Sequence, residues 1–188
     1  QILATLFDDN GRVAIEGFYD NVLECDPETQ NAIRNLPFDE DGFSELAGVT
    51  LSGGENEYSV PERLWTRPTC EVNGLLSGYT GEGAKTVLPS KAMAKVSFRL
   101  VPEQNPKRVY ELLKSHVAKV TPEGVKVHLE DLHGGMPWRN ELTQKLKDAA
   151  TTALLEAFGA EPVLAGEGGS IPIVGEFERV LGATVLLI

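Results

Sequence analysis

The histidines and cysteines of the chain are the residues that would bind a transition metal. The histidines are His116, His128 and His133, and none of them lies in a His-x-Asp or His-Glu-x-x-His pattern. The two cysteines, Cys25 and Cys70, are too far apart in the sequence for a Cys-x-x-Cys metal pair. The sequence therefore predicts no metal ligand within these residues.

His133 is the histidine whose neighbours favour chemistry. It ends a predicted strand and begins the sequence His-Gly-Gly-Met-Pro-Trp at residues 133–138. Two consecutive glycines let the backbone turn sharply and approach a ligand closely. His116 falls on the apolar stripe of a predicted helix, where a hydrogen-bonded core histidine is the simpler interpretation. His128 lies on the polar face of a strand, which favours a plain surface position.

Two further features could bind an anion. Arg99 lies on the polar face of a predicted strand with Lys91 and Lys95, and its planar guanidinium suits a carboxylate. Glu167 and Ser170 belong to Glu-Gly-Gly-Ser-Ile-Pro, where Ser170 can cap the next helix and the glycines expose backbone N–H groups. An ordinary solvated strand face and a plain capped turn are the alternatives. Ser170 has no Gly-x-Ser-x-Gly context, so it is not predicted to be a nucleophile.

The charge distribution excludes several kinds of partner. Residues 1–60 carry 13 acidic residues against two arginines, whereas acids and bases balance over residues 61–188. Nucleic acid and anionic membranes need clustered Lys and Arg, so neither is an expected partner. The acidic segment reads as a solubilising surface. With two cysteines, no secretory signal and no long apolar run, the expected location is the cytoplasm.

The most regular part of the chain predicts an α+β fold. Residues 69–76, 91–100 and 125–132 have the alternation of strands, and a helix capped by Asn105 separates the last two. This order predicts a two-layer sandwich, ferredoxin-like, with helices on one face of an antiparallel sheet. A short helix is also expected over residues 26–36, and a loop over residues 52–59.

The two ends of the chain suggest a piece of something longer. Ile2, Leu3 and Leu6 read as the tail of a helix that Gly11 ends, with its start and a preceding strand missing. Near the other end, Asn140 is predicted to cap a long helix that Gly159 closes. A second short helix follows through Phe177 and Leu181, and the apolar residues 184–188 predict a strand buried on both faces.

Four ordered segments resemble one enzyme family. They are residues 67–89, 95–106, 132–138 and 167–174, and residues 7–20 add a resemblance to one branch. The family is the di-zinc metallopeptidases that include cytosolic non-specific dipeptidase, carnosinase, aminoacylase and succinyl-diaminopimelate desuccinylase. The branch is the non-specific dipeptidase and carnosinase group.

The resemblance implies a lid domain that also dimerises, beside a catalytic domain that holds two zinc ions. The family's ligands, a His-x-Asp, a bridging Asp, a Glu-Glu pair and a further Asp and His, are expected before residue 1 and after residue 188. Residues 1–138 would be the lid, with an acidic insertion-rich part at 1–60, and residues 139–188 a fragment of the catalytic domain. The isolated chain is therefore expected to be inactive and to self-associate.

Site residues follow from the same resemblance, by position. Thr86 and Arg99 resemble residues that hold the substrate, with Arg99 on its terminal carboxylate. His133 resembles a histidine that polarises the scissile carbonyl, while zinc-bound hydroxide attacks. Glu167 and Ser170 resemble residues that line the substrate end of the site. Some of these contacts would cross a homodimer. Gly166 departs from the arginine that many relatives have before this glutamate.

A different class of function stays open from the residues alone. A stand-alone α+β module could bind a small anion, or regulate another chain, with the same Arg99 stripe and the same Glu-Gly-Gly-Ser turn. That alternative predicts tight anion binding by the isolated chain, whereas the peptidase interpretation predicts a peptide or acyl-amino-acid substrate bound only in the complete enzyme.

Overall fold

In the computed structural model, which describes residues 1–139, 142–163, 166, 171 and 173–187, one long helix and the N-terminal segment pack on one face of an antiparallel pair of strands. The elements of these residues are, in chain order, a 3₁₀ helix (Ile2–Thr5), α1 (Pro27–Arg34), α2 (Glu40–Ala47), α3 (Val60–Trp65), β1 (Thr69–Ser77), β2 (Ala92–Arg99), α4 (Pro106–Val120), α5 (Gln144–Phe158) and α6 (Ile173–Leu181). The predicted α+β class is confirmed. Among the described residues, no helix is long and apolar enough to cross a membrane.

β1 and β2 form a hairpin whose two ends have different surroundings. Thr69 pairs with Arg99 at one end, and Ser77 pairs with Ala92 at the other, where residues 78–91 join the strands. Directly paired residues of an antiparallel sheet face the same side, so this register fixes which side chains share each face. A shift of register midway along β1 marks a β-bulge.

The hydrophobic core lies against one face of this hairpin, near the start of β1. Val96 and Phe98 of β2, with Leu100 just beyond it, pack against the core as their alternation predicts. Ala92 and Ala94 were predicted on the same face, but they are exposed because the core does not extend to their end of the hairpin. The buried cluster itself joins the N-terminal segment, β1 and α4, and consists of Leu6, Val13, Ile15, Phe18, Cys70, Val109 and Leu112.

Two helices begin where the sequence predicts. The Asn105 side chain accepts hydrogen bonds from the backbone N–H groups of Lys107 (2.9 Å) and Arg108 (3.3 Å) at the start of α4. Asp26 accepts one from the N–H of Thr29 (2.9 Å) at the start of α1. A proline follows each cap, where its missing N–H costs nothing.

The sequences of α2 and α3 lack the hydrophobic periodicity that predicts a helix. Side-chain caps at their first turns explain where both helices begin. Asp39 accepts a hydrogen bond from the backbone N–H of Gly42 (2.9 Å) at the start of α2. At α3, the backbone N–H and the hydroxyl of Ser59 both donate to the Glu62 carboxylate, at 2.8 and 2.6 Å. This serine and glutamate, three residues apart, are the sequence signal for α3.

The start of the chain contains less helix than its sequence predicts. The 3₁₀ helix ends at Thr5, and Gly11 does not cap it. Instead, Phe7 and Val13 form an isolated antiparallel bridge. Gly11 lies in the turn between them at φ 75°, and a Cβ there would overlap the carbonyl oxygen of Gly54. The glycine is therefore required by its positive φ and by this close approach.

Two predicted strands are absent from the part of the chain that the structure describes. Residues 125–132 form no strand, and Val125 and Val127 are 51% and 42% exposed. A strand forms only with a hydrogen-bonded neighbour, and no described strand lies beside this segment. Residues 184–187 are exposed or half-buried rather than buried on both faces, and they form no strand. Ile188 lies outside the described residues.

The later helices match the prediction except at one boundary. α5 begins at Gln144 with Thr143 as its N-cap, and not after Asn140, which lies outside the described residues. Thr143 is the N-cap because its hydroxyl oxygen accepts a hydrogen bond from the backbone N–H of Leu146 in the first turn. α5 ends at Gly159 with a positive φ of 70°, as predicted. α6 is the expected second helix and runs to Leu181.

Candidate functional site

Arg99 is the last residue of β2, paired with Thr69 across the hairpin. Its side chain is exposed, and no described residue forms a hydrogen bond or an ion pair with its guanidinium. Lys91 and Lys95, which the sequence predicts on the same face, are exposed as well. Arg99 therefore presents a free planar donor set that can take a carboxylate.

Thr86 lies in the loop of residues 78–91, at the opposite end of the hairpin from Arg99. β2 has eight residues, and at about 3.3 Å per residue its two ends are roughly 23 Å apart. The Thr86 side chain is exposed. Within the loop, Tyr79 donates a hydrogen bond to the carbonyl of Glu82 (3.0 Å), so the first part of the loop folds on itself. Thr86 and Arg99 thus lie beyond the start and at the end of β2, respectively.

His133 lies toward the same end of the sheet as Arg99. The next residue, Gly134, packs on Pro106 at the start of α4, where an added Cβ would lie 3.1 Å from the proline Cβ. α4 itself follows closely after the end of β2. The His133 side chain is exposed. The guanidinium of Arg99, which can donate hydrogen bonds to a carboxylate, and the exposed imidazole of His133 therefore lie toward one end of the sandwich.

An open cavity of about 560 Å³ lies beside this end of the fold. It is bounded by the loop that leads from β2 into α4, by residues 136–139, by Leu23 and by Glu178 of α6. Glu103, in that loop, has a φ of 71°, a conformation that few non-glycine residues adopt. The cavity wall combines apolar side chains with two carboxylates and one guanidinium.

Trp138 and Glu178 close one side of this cavity. The indole Nε1–H of Trp138 donates to the Glu178 carboxylate at 2.6 Å. The ring also lies against the backbone of Gly175, where an added Cβ would be 3.6 Å from the indole. Sequence spacing gave no signal for this contact, because the two partners are 40 residues apart.

Glu167 and Ser170 lie outside the described residues. Gly166 is described and lies against Trp65, whose side chain an added Cβ would overlap. The predicted role of the Glu-Gly-Gly-Ser turn stays a prediction.

The remaining histidines do not form a metal centre. His116 is half-buried, and its Nε2 lies 2.9 Å from the Thr5 hydroxyl, a satisfied core position as its apolar stripe predicts. His128 is exposed. Within residues 1–139, 142–163, 166, 171 and 173–187, no group of three His, Cys, Asp or Glu side chains could hold a metal ion. These described residues do not fit a zinc site.

The acidic segment is not simply a solvated surface. Glu55 is 3% exposed and accepts hydrogen bonds from Nε and Nη2 of Arg67, both at 3.0 Å, and from Nη1 of Arg12 at 2.9 Å. Arg67 also donates to Glu24 at 2.9 Å. Sequence spacing gave no signal for these ion pairs. We call this group the Arg67 cluster, in which Glu55 and Arg67 are buried and Glu24 is exposed. It consists of Arg12, Tyr19, Glu24, Glu55, Tyr58 and Arg67.

Two tyrosine rings enclose the guanidinium of Arg67. The distances from its Cζ to the ring centroids are 4.3 Å for Tyr58 and 5.6 Å for Tyr19. Burial raises the pKa of each tyrosine to about 12. Burial also opposes the charge on Arg67, but the hydrogen bonds and negative charge of Glu55 raise the pKa of Arg67 above its usual value.

The domain match decides the family. Residues 1–125 match the M20 peptidase dimerisation domain. The chain belongs to this family. The resemblance found in the sequence is confirmed, and the sandwich of α4 on the hairpin is the corresponding fold.

Two curated relatives of the chain carry the names of dipeptidases. The chain is 30% identical to Cys-Gly metallodipeptidase dug1 of Schizosaccharomyces pombe over 190 residues, which is 100% of this chain and 40% of that protein. It is 26% identical to human Beta-Ala-His dipeptidase over 190 residues, covering 100% of this chain and 38% of the relative. The chain therefore spans about 40% of the length of these relatives.

Solved structures share the fold across almost the whole chain. The M20 family metallo-carboxypeptidase Sso-CP2 of Sulfolobus solfataricus is 38% identical, with a TM-score of 0.82 over 96% of this chain and 41% of its own. Dug1p of Saccharomyces cerevisiae is 27% identical, with a TM-score of 0.84 over 100% of this chain and 40% of its own. Residues 1–125 of the chain thus correspond to the dimerisation domain of dipeptidase-like metallopeptidases.

Proposed function

We propose that this chain supplies the dimer contacts and part of the substrate site of a zinc-dependent, dipeptidase-like hydrolase. Its relatives are metallopeptidases more than twice its length, and the described residues include no metal cluster. Two zinc ions would be held by other parts of the enzyme, where they would activate the water that attacks the peptide bond. Residues 1–138 would be the lid, and residues 139–188 part of the catalytic domain.

Each candidate residue of the chain has a role that its chemistry fits. Arg99 would bind the terminal carboxylate of a peptide or acyl-amino-acid substrate through two parallel hydrogen bonds. His133 would donate a hydrogen bond to the oxygen of the scissile carbonyl as negative charge develops there. Glu167 and Ser170 would line the substrate end of the site. Both described cysteines are free thiols, which fits the cytoplasmic location expected from the sequence.

The separation of Thr86 from Arg99 carries the proposal that the site is shared. The two side chains belong to opposite ends of one hairpin, so a substrate of dipeptide size does not span them within one copy. A homodimer brings the hairpin loop of one copy to the Arg99 end of the other. The loop is well suited to this contact, since Leu88 is 97% exposed and Val87 is 50% exposed.

The carboxylate role of Arg99 can be tested with substrates that differ in one group. We compare a dipeptide with its C-terminal amide in the full enzyme, its Arg99→Ala variant and a Lys119→Ala control. Lys119 is an exposed cation in the last turn of α4, away from the end of the hairpin that carries Arg99. A lost bidentate, charge-assisted pair should raise KM for the dipeptide by about 10- to 100-fold and remove the discrimination against the amide. Unchanged discrimination in Arg99→Ala would refute this role.

The alternative of a stand-alone anion-binding module makes the opposite prediction for the isolated 188-residue chain. Calorimetry with a dipeptide, or with succinate as a simple dicarboxylate, should detect no tight binding if the site needs the rest of the enzyme. Hydrolysis of dipeptides by the isolated chain in the presence of zinc would also contradict the proposal.

A further inference from the structure

The segment that carries His133 has no regular secondary structure to position it. Residues 131–139 contain neither helix nor strand, and His133, Gly134 and Gly135 are all exposed. Backbone without a ladder or helical hydrogen bonds samples many conformations unless tertiary contacts hold it. A histidine that contacts a reacting carbonyl must nevertheless be held within a fraction of an ångström.

Two contacts hold this segment, one at the double glycine itself and one four residues later. Gly134 packs on Pro106 at the start of α4, and the 3.1 Å distance from an added Cβ leaves no room for a larger residue without a shift. Four residues later, the Trp138 indole bonds to Glu178 of α6. The first contact is a van der Waals contact, whereas the second is directional.

The bond between Trp138 and Glu178 has the properties of an anchor. Its length is 2.6 Å, its acceptor carries a charge, and both side chains are half-buried. Hydrogen bonds to charged acceptors are about twice as strong as neutral ones. The acceptor lies on α6, whose Val174 is 4% exposed, so the anchor is attached to a packed element.

Glu176, the other glutamate of α6, contacts a residue of its own helix instead of the His133 segment. Glu176 is exposed and pairs with Arg179 on the same helix, three residues away. Such an exposed pair contributes little to stability. Glu176 and Glu178 are thus two glutamates of one helix, of which one contacts the His133 segment and the other does not.

We propose that Trp138 and Glu178 are positioning residues that fix the segment of His133 against α6. The bond also joins that segment to the helix that follows Glu167 and Ser170 in the sequence. This proposal rests on the role proposed above for His133, because positioning matters to catalysis only if that histidine contacts substrate.

The bond itself can be tested in the 188-residue chain by nuclear magnetic resonance. The chain has two tryptophans, so two indole N–H signals are expected, and Trp138→Phe identifies the relevant one. Glu178→Leu should speed exchange of the Trp138 indole proton about tenfold and increase the mobility of the Gly134 and Gly135 amides. Glu178→Gln, which keeps an acceptor oxygen, should partly restore slow indole exchange and ordered glycine amides. Glu176→Leu should change neither the indole exchange nor the amide mobility.

The consequence for catalysis is tested in the full enzyme. Glu178→Leu should lower kcat about tenfold with little change in KM, because the misplaced group acts on the transition state rather than on ground-state binding. Glu178→Gln should recover most of the loss. A merely structural role would lower the amount of folded enzyme without changing kcat per active site.

Each result has one meaning. Unchanged indole exchange in Glu178→Leu refutes the bond. Faster indole exchange with unchanged glycine amides and unchanged kcat refutes the positioning role. If His133→Ala leaves kcat unchanged, the proposed role of His133 fails instead, and the amide measurement still decides whether Glu178 orders the segment.

Discussion

Arg67 and Glu55 face each other through two parallel hydrogen bonds, Nε to Oε1 and Nη2 to Oε2, each 3.0 Å long, and both residues are 3% exposed. The pair ties the loop between α2 and α3 to the residue that leads into β1. Arg12 adds a third bond from the N-terminal turn. The Arg67 cluster thus fastens the acidic first third of the chain to the sheet that carries Arg99.

Removal of Arg67 should destabilise the chain strongly. Arg67→Met leaves the Glu55 carboxylate buried with Arg12 as its remaining cation among the described residues. Loss of one partner of a buried pair costs about 3–5 kcal/mol. Because Arg12 remains, we expect a decrease of about 2–4 kcal/mol in the free energy of unfolding.

Urea unfolding followed by circular dichroism measures this effect. Lys114→Ala is the matched control, since Lys114 forms an exposed pair with Glu111 at 3.0 Å. That change should lower the free energy of unfolding much less than Arg67→Met does, because solvent screens an exposed pair. Equal effects of the two substitutions would contradict the buried role of the Arg67 cluster.

Alkaline pH should destabilise the chain through Tyr19 and Tyr58. Burial raises the pKa of each to about 12, from an ordinary value of 10.0. The unfolded chain therefore loses these protons at lower pH than the folded chain does. The stability that they contribute is complete below pH 10 and disappears as pH rises towards 12.

A spectrophotometric titration of tyrosine ionisation, run beside unfolding at each pH, checks this expectation. Tyr58→Phe and Tyr19→Phe should each remove one late-titrating group and flatten the loss of stability between pH 10 and 12. The Tyr19 hydroxyl accepts a hydrogen bond from the Val13 N–H at 3.0 Å, so Tyr19→Phe should also lower stability at neutral pH.

The two cysteines should differ widely in reactivity. Cys70 is 2% exposed in the core, and burial raises its pKa to about 12, whereas Cys25 is only partly buried. Because the thiolate is the nucleophile, Cys25 should react with a thiol reagent at pH 8 at least about tenfold faster. Mass spectrometry of partially modified chain distinguishes the sites, and equal labelling in the folded state would contradict the packing around Cys70.

The exposed leucine of the hairpin loop should contribute to self-association. Leu88→Asp should weaken the dimer measured by sedimentation, with a change in unfolding free energy within about 0.5 kcal/mol in the monomer. Leu46→Asp is the control, because Leu46 is 84% exposed at the end of α2, away from the hairpin. Dimerisation that resists Leu88→Asp but not Leu46→Asp would place the interface elsewhere.

Local signals predicted the elements that are set by nearby residues. Asn105 followed by Pro106 fixes the start of α4, and the alternation of Val96 and Phe98 identifies the buried face of β2. The same alternation in residues 125–132 predicted a strand wrongly, because a strand also needs a neighbour that local sequence does not reveal.

Contacts between distant residues could not be predicted from spacing. Arg67 and Glu24 are 43 residues apart, and Trp138 and Glu178 are 40 apart. Residue chemistry pointed to Arg99 and His133, whereas Thr86 came from the resemblance alone. The hairpin register then fixes which end of the sheet carries Arg99.

The central claim is that one active site uses Arg99 from one subunit and Thr86 from the other. Mixed dimers of Thr86→Ala and Arg99→Ala subunits test it directly. In such a dimer, one site combines the intact Arg99 of the first variant with the intact Thr86 of the second, and the other site carries both defects.

The measurement is the hydrolysis rate after the two inactive variants are mixed and allowed to exchange subunits. A shared site predicts that activity returns, to about one quarter of wild type at full random exchange, since half of the dimers are mixed and each has one intact site. Activity that stays at the level of the separate variants, with mixed dimers confirmed by mass spectrometry, would contradict the claim.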